Sequence, residues 1–338
     1  MASKRVTSFD VADLAGVSQS TVSRAFTPEA KVSKKTRQKV FAAATKLGYQ
    51  PDAIARSLST RHTNIIGIVM AHITSPFYPY VLDKFTQRLQ EMGRQILLFN
   101  AAAGQDVDDI LPLVLQYRVD GLIITSATIS SEMADVLARD GTPVILFNRY
   151  VLGANCSAVC CDNVDGARKI ADFLLDNGHK RPAYIAGDAN TSTNIDREKG
   201  FGDRLRERGI IQWYHEQGEY TYQSGYDATL RLMQLAKPPD AIFCANDVMA
   251  LGALDAARHA LGLRVPEDLS IIGFDDIPAA SWPSYMLTTI RQPVTRMIDA
   301  TLDLLLERLD NPKVEPALKL IPGPLIQRNS TRVAETQT

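Results

Sequence analysis

The chain has 338 residues, 45% of them hydrophobic, with 37 Lys or Arg against 38 Asp or Glu and a formal net charge of -1. That length supports two or three packed domains; with no apolar run near 18 residues and no apolar leader core, neither a membrane span nor a secreted precursor is expected, and the cytoplasm is the expected location. Cys156, Cys160, Cys161 and Cys244 have no CxxC spacing and no paired histidines, so neither a disulfide framework nor a metal site is expected, and no cofactor is implied.

The neutral total hides an asymmetry. Residues 1–62 hold eleven Lys or Arg against four acids, a net of +7, which leaves -8 for the remainder. A basic block on an acidic body reads as a small module facing nucleic acid, joined to a domain with another task.

In chain order, Ser8 is the expected N-cap of a helix carrying Val11, Ala12, Leu14 and Ala15 at helical spacing, and Gly16 ends it. Ser18 caps a second helix whose inward face is Val22, Ala25 and Phe26, leaving Gln19, Ser20, Thr21, Ser23 and Arg24 outward. Short polar side chains on such a first turn suit a major groove, because they reach base edges while the helix N-terminus approaches phosphate. Ser33 caps a third helix through Leu47, closed by Gly48, with a core stripe of Val40, Phe41, Ala44 and Leu47 and with Lys34, Lys35, Arg37 and Lys39 on its first turns. Residues 1–50 thus form a small all-α helix-turn-helix unit. The stretch "YQPDAIARSLSTRHTNIIG" (49–67) continues as an amphipathic segment. A helix of about 12 residues is marginal alone in water, so residues 51–63 are expected to be a hinge helix and linker that folds on contact with DNA.

From residue 64 the pattern becomes an alternation of apolar strands and amphipathic helices, a two-lobed α/β body with parallel sheets. "IIGIVMA", "QILLFN", "GLIITSA" and "PVILFN" alternate with helices near 77–92, 107–118 and 130–140. A second set, "AVCCD", "PAYIAG", "AIFCAN" and "SIIGFD", alternates with helices near 164–177, 195–208, 224–235 and 247–261. The last part adds a helix near 294–309 and the strands "ALKLI" and "PLIQR", expected against the first lobe. The first lobe is placed at about 64–161 plus 291–331 and the second at about 162–290.

Ligands of open parallel sheets bind beyond the carboxyl ends of the strands. That rule selects Ser126, Asn148, Arg149, Asp162, Asn246, Asp247 and Asp275, with Phe77 and Tyr78 of "SPFYPY" at a helix start. Such groups bind hydroxyls through amides and carboxylates, add a guanidinium fork and cover a sugar face with an aromatic ring. Catalytic signatures are lacking: there is no GxxxxGK[ST], GxSxG or HExxH, and "GFG" at 200–202 lacks the last glycine of a dinucleotide loop. The expectation is a protein that is not an enzyme.

"DVADLAGVSQSTVSRAF", "VSKKTRQKVFAAATKLGYQPDAIARSL" and the body motifs "VDGLIITS", "FCANDVMALGAL", "IIGFDD" and "LTTIRQP" together resemble the lactose-repressor (LacI) family over essentially the full length. The resemblance implies a transcriptional regulator in which Gln19 and Ser20 read bases from the recognition helix, with Arg24 on base or backbone nearby, and Ser18 and Thr21 are expected beside them among the DNA-binding residues. It implies that "ARSL" is the hinge helix: Leu58 wedges between base pairs from the minor groove, flanked by Ala55 and Arg56. The family body is similar to type I periplasmic sugar-binding proteins and holds an effector between its lobes, where Arg197, Asn246 and Asp275 match contacts and Tyr220 matches an aromatic wall. Trp282 and Tyr285 are further candidates for that cleft. These groups suit a mono- or disaccharide; a nucleobase or a sugar phosphate is the alternative.

The basic block and hinge decide against a sugar receptor or enzyme body whose bundle has some non-DNA role. A homodimer on a pseudo-palindromic operator is expected, with Val81, Phe85 and Leu89 as a candidate interface. The tail "QRNSTRVAETQT" has no leucine heptad, which favours a dimer over a tetramer.

Overall fold

Thr7, one residue before the expected Ser8, caps the first helix, α1 (Ser8–Ala15). Its hydroxyl accepts from the amide of Asp10, whose carboxylate accepts from the amide of Thr7 at 2.7 Å, a reciprocal capping box. Gly16 closes the helix at φ 65°, a conformation open to a residue without Cβ. Ser18 caps α2 (Gln19–Ala25) by accepting from the Thr21 amide at 3.2 Å. Ser33 caps α3 (Lys34–Leu47) by accepting from Thr36 at 3.1 Å. Each such cap contributes about 1 kcal/mol to a unit with little core of its own.

The structure, a computed structural model, describes residues 6–26, 30–50, 63–71, 73–101, 107–125 and 130–333, and the chain divides into two units, 1–64 and 65–338. The core of the first unit is Val11, Ala12, Val22, Ala25, Val40, Ala43 and Ala44. Two expectations fail there. Leu14 is 45% and Phe41 42% exposed, because three short helices approach closely over alanines and push large side chains to the rim. Phe41 leans on Phe26 with ring centroids 5.1 Å apart.

The second unit holds two six-stranded sheets. In the first, β1 (Ile65–Ala71), β2 (Gln95–Ala101), β3 (Gly121–Thr125), β4 (Val144–Phe147), β5 (Ser157–Cys161) and β11 (Leu318–Ile321) run parallel in the order β11-β5-β4-β3-β1-β2. In the second, β6 (Pro182–Ala186), β7 (Tyr214–Gln217), β8 (Ala241–Cys244), β9 (Ser270–Asp275), β10 (Thr288–Arg291) and β12 (Leu325–Ile326) take the order β12-β10-β9-β8-β6-β7. All of these pairings are parallel except β10 with β12. Strands β3, β4 and β5 are buried along their whole length, as expected of parallel strands covered by helices on both faces.

The helices of the first lobe are α4 (Phe77–Glu91), α5 (Leu111–Gln116), α6 (Ser131–Asp140) and the late α11 (Val294–Asp310). Those of the second are α7 (Asn163–Asp176), α8 (Ser192–Glu207), α9 (Tyr222–Met233) and α10 (Asp247–Asp255).

Tertiary pairing corrects the grouping of one strand and the expected lobe bounds at two points. "AVCCD" supplies β5 to the first sheet, where Ser157 pairs with Ile145 and Ala158 with Leu318. Arg291 ends β10 of the second sheet. "PLIQR" leaves the first lobe too: β12 pairs antiparallel with β10, and Ser330 donates to the Ile271 carbonyl at 2.6 Å. The chain therefore passes between the lobes three times, near 162, 292–293 and 322–324. Strand β7, "YHEQ", escaped the sequence reading because an edge strand alternates exposure and carries polar residues. Val81, Phe85 and Leu89, read as an interface, are instead fully buried in the first lobe.

Gly225 on α9 faces α10 so closely that a Cβ would run into the backbone of Met249. Gly225→Ala is expected to lower the unfolding free energy of the body by about 2 kcal/mol, since overpacking outweighs the gain in helix propensity. An unchanged denaturant midpoint would contradict the close helix packing.

Candidate functional site

Helix α2 presents Ser18, Gln19, Ser20, Ser23 and Arg24 to solvent, with Thr21 half-buried. Ser18 and Thr21 are turned to local work: the Ser18 hydroxyl lies 2.9 Å from that of Ser20 and 2.9 Å from that of Thr21. Gln19 donates through Nε2 to the Ser8 hydroxyl at 3.3 Å, and Arg24 Nε to the Ser20 carbonyl at 3.3 Å. These weak exposed bonds leave Gln19, Ser20 and Arg24 able to meet a partner in front of the helix. Lys34, Lys35 and Lys39 are exposed on α3, while Arg37 is turned back to the Ala30 carbonyl at 3.2 Å. Ala55, Arg56, Leu58 and Ser126 lie outside the described residues.

Between the lobes lies a cavity of about 860 Å³. The first lobe contributes Thr74, Ser75, Phe77, Tyr78, Asn148 and Arg149; the second contributes Asp188, Thr193, Arg197, Glu219, Tyr220, Tyr222, Asn246 and Asp275. Every strand end that feeds it is a carboxyl end, as the parallel topology requires.

Arg197 anchors the second-lobe wall although it is only 2% exposed. Its Nε donates to Asn163 Oδ1 at 2.8 Å, Nη1 to the Ala245 carbonyl and Nη2 to Asp275 Oδ1 at 3.4 Å, with the guanidinium 3.7 Å over the Phe274 ring. Burial drives the Asp275 carboxyl upward from its ordinary value, against the pull of Arg197 and of Gln292, whose amide donates at 2.7 Å. Asn246 caps α10 by accepting from Met249 at 2.9 Å, and donates to the Tyr220 carbonyl at 3.3 Å. The Tyr220 hydroxyl lies 3.0 Å from the hydroxyls of both Thr191 and Thr193. Its ring lies over Gly187, where any Cβ would strike it.

Asn148, Tyr220 and Asp275 all hold left-handed backbone, at φ 68°, 59° and 130°. Such strain persists where surrounding packing enforces it and gathers at ligand clamps. On the first-lobe wall, Asn148 is 5% exposed with Oδ1 unpartnered, and Arg149 Nε is likewise unpartnered among the described residues. Buried polar groups of this kind call for a partner, and both residues line the cavity. Burial also raises the Tyr78 hydroxyl, against the pull of Arg149.

Two strand-end candidates go elsewhere. Asp162 caps α7, accepting from the Asp165 amide at 3.0 Å. Asp247 is completely buried and accepts from the Thr289 hydroxyl at 2.6 Å and the Ile277 amide at 2.9 Å. Asp247 directly follows the cavity-lining Asn246, and that one step along the chain turns its side chain from the cleft to Thr289 and Ile277. Trp282 is 56% exposed and absent from the lining, and Tyr285 donates to Asp255 at 3.2 Å. Conversely, Asp188 and Glu219 line the cavity and were missed. Asp188 follows "PAYIAG" and obeys the strand-end rule, whereas Glu219 follows the unread β7.

Among the described residues no cluster of His, Cys, Asp or Glu is placed to hold a metal, and no helix is long and apolar enough to cross a membrane. All four cysteines are buried and unpaired.

A family model for bacterial regulatory proteins of the lacI family matches residues 9–52, and one for a periplasmic binding protein-like domain matches residues 171–331. The HTH-type transcriptional repressor CytR of Escherichia coli (strain K12) is 33% identical over 326 residues, spanning 96% of this chain and 95% of that protein. Among solved structures, the lac repressor dimer bound to operator and the anti-inducer ONPF superposes with a TM-score of 0.87 at 28% identity, covering 97% of this chain and 99% of that one. A complex of the transcriptional regulator CelR with cellobiose gives 0.73 at 31% identity, covering 96% and 100%. With a relative of that identity matched nearly end to end, the chain belongs to the LacI family and is a DNA-binding transcriptional regulator, not an enzyme.

Proposed function

We propose that the protein is a cytoplasmic homodimeric repressor whose hold on a pseudo-palindromic operator is set by a neutral mono- or disaccharide bound between the lobes. Gln19, Ser20 and Arg24 are the base-reading and backbone-contacting groups, and Ser18 and Thr21 fix the helix start. Ala55, Arg56 and Leu58 of the 51–63 hinge enter the minor groove. One observation carries the effector class: the cavity ring mixes Arg149 and Arg197 with Asp188, Glu219 and Asp275 around the aromatic Phe77, Tyr78 and Tyr220. The charged lining is one unit negative, which favours a neutral ligand over a sugar phosphate, and the amides, hydroxyls and rings match a polyol with apolar C–H faces. The cellobiose complex of CelR is a precedent of that chemistry.

The dimer face proposed in place of Val81, Phe85 and Leu89 is the β2 edge of the first sheet. Leu98 on β2 is 38% exposed, and Leu113 and Tyr117 by α5 are 45% and 53% exposed. A two-fold interface brings the same residues of both copies together.

Two measurements test the reading. In a selection from random duplexes, Gln19→Ala is expected to relax the preference at one position per half-site by about 1–3 kcal/mol, and an unchanged preference removes Gln19 from base reading. In a thermal-shift screen of neutral sugars, sugar phosphates and nucleobases, a neutral sugar at 100 times its Kd adds about 2.7 kcal/mol. Stabilisation by nucleobases alone overturns the sugar assignment.

A further inference from the structure

Two hydrogen bonds cross the cleft at a single residue, away from the three chain crossings. Tyr150, in the first-lobe loop after β4, donates through its hydroxyl to the Asp196 carboxylate of α8 at 3.0 and 3.1 Å. Its backbone amide donates to the Ser192 hydroxyl, on the first turn of the same helix, at 3.1 Å. Tyr150 is not part of the cavity wall, yet it adjoins Arg149, which is; Asp196 likewise adjoins Arg197. On each lobe, then, successive residues point one side chain into the cavity and the next across its rim.

We propose that Tyr150 is a positioning residue that latches the cleft shut: it sets the balance of closed and open lobes, and hence effector affinity, without touching the effector. The side-chain bond is charge-assisted, and such bonds exceed neutral ones. Burial and the nearby Asp196 push the Tyr150 hydroxyl up to about 12, so it remains a donor at neutral pH. The bond can form only when the lobes approach, so its free energy belongs wholly to the closed state. Apparent ligand affinity scales with the closed fraction. That consequence rests on the effector-cleft reading; the latch itself does not.

The four native cysteines are buried, so spin labels can be confined to the exposed positions of Asp83→Cys on the first lobe and Gln223→Cys on the second. Labelled chains are diluted into unlabelled full-length protein, and interlobe distances are measured without any effector. In the parent background one short distance dominates. Tyr150→Phe keeps the ring and removes the donor, and is expected to raise the ratio of open to closed molecules about fivefold, with Ser192→Ala acting in the same direction. A Tyr150→Phe distribution that superposes on the parent overturns the latch, as does a variant that alters only melting temperature. Because no ligand enters the measurement, either result leaves the sugar assignment to its own test.

Discussion

Replacing Arg197 by Ala is expected to abolish the response to effector and to lower the stability of the effector-binding body by about 3–5 kcal/mol, the range for removing one partner of a buried charged network. The guanidinium serves four groups at once: Asn163 Oδ1, the Ala245 carbonyl, Asp275 and the Phe274 ring. Its removal takes the donor from Asn163 Oδ1 and the Ala245 carbonyl and leaves Asp275 with the Gln292 amide alone. Asp275, already pushed up by burial, loses the cation that restrains it and takes up a proton. Arg197→Lys rescues only part of this, because an ammonium cannot reproduce the planar fork. Guanidinium chloride unfolding followed in the body gives the stability, and operator binding by the folded variant gives the separate readout of the first unit. A wild-type midpoint with a normal dose response would remove Arg197 from both roles.

The second large effect is on pH. Asp247 is fully buried, and its carboxyl is raised from the ordinary value of 3.8 first by desolvation and next by the charge of Asp275, against the bonds from Thr289 and the Ile277 amide. The native state therefore binds more protons than the unfolded chain above that value. The stability contributed by the Asp247 proton is fully present below the ordinary carboxylate range and is lost as pH rises towards the shifted value, by about 1.4 kcal/mol for each pH unit within that window. Asp275 acts in the same sense. Asp247→Asn keeps a carbonyl acceptor but cannot ionise, so it is expected to flatten this slope and to exceed the parent in stability at the alkaline end. Urea melts at a series of pH values measure it directly. Equal slopes in parent and variant would show that Asp247 does not hold the raised proton.

What the sequence alone determined follows from local chemistry. The caps Ser18 and Ser33, the glycine stops at 16 and 48, and the alternation of apolar strands with amphipathic helices are short-range signals, and they fixed the helical unit and the α/β body. The strand-end rule also found Asn148, Arg149, Asn246 and Asp275, because a parallel strand ends where its apolar run ends. Arg197 and Tyr220 came from the family motifs instead. Lobe membership was not local: β5 and β12 are assigned by which edge they pair with, and their residues carry no mark of it.

The fates of the acids were not local either. Asp275 and Asp247 both follow apolar strands, yet only the first turns into the cleft, at φ 130°, while the second is taken by Thr289 and Ile277. Val81, Phe85 and Leu89 form an apolar stripe that core and interface would share equally, and only packing against the first sheet assigns them to the core. The strained backbone of Asn148 and Tyr220, and Tyr150 reaching Asp196 across the rim, arise from pairing residues far apart in the chain. Periodicity and caps record what each segment does with its neighbours in sequence; the cavity is made where segments meet, and tertiary packing alone decides which side chains face it.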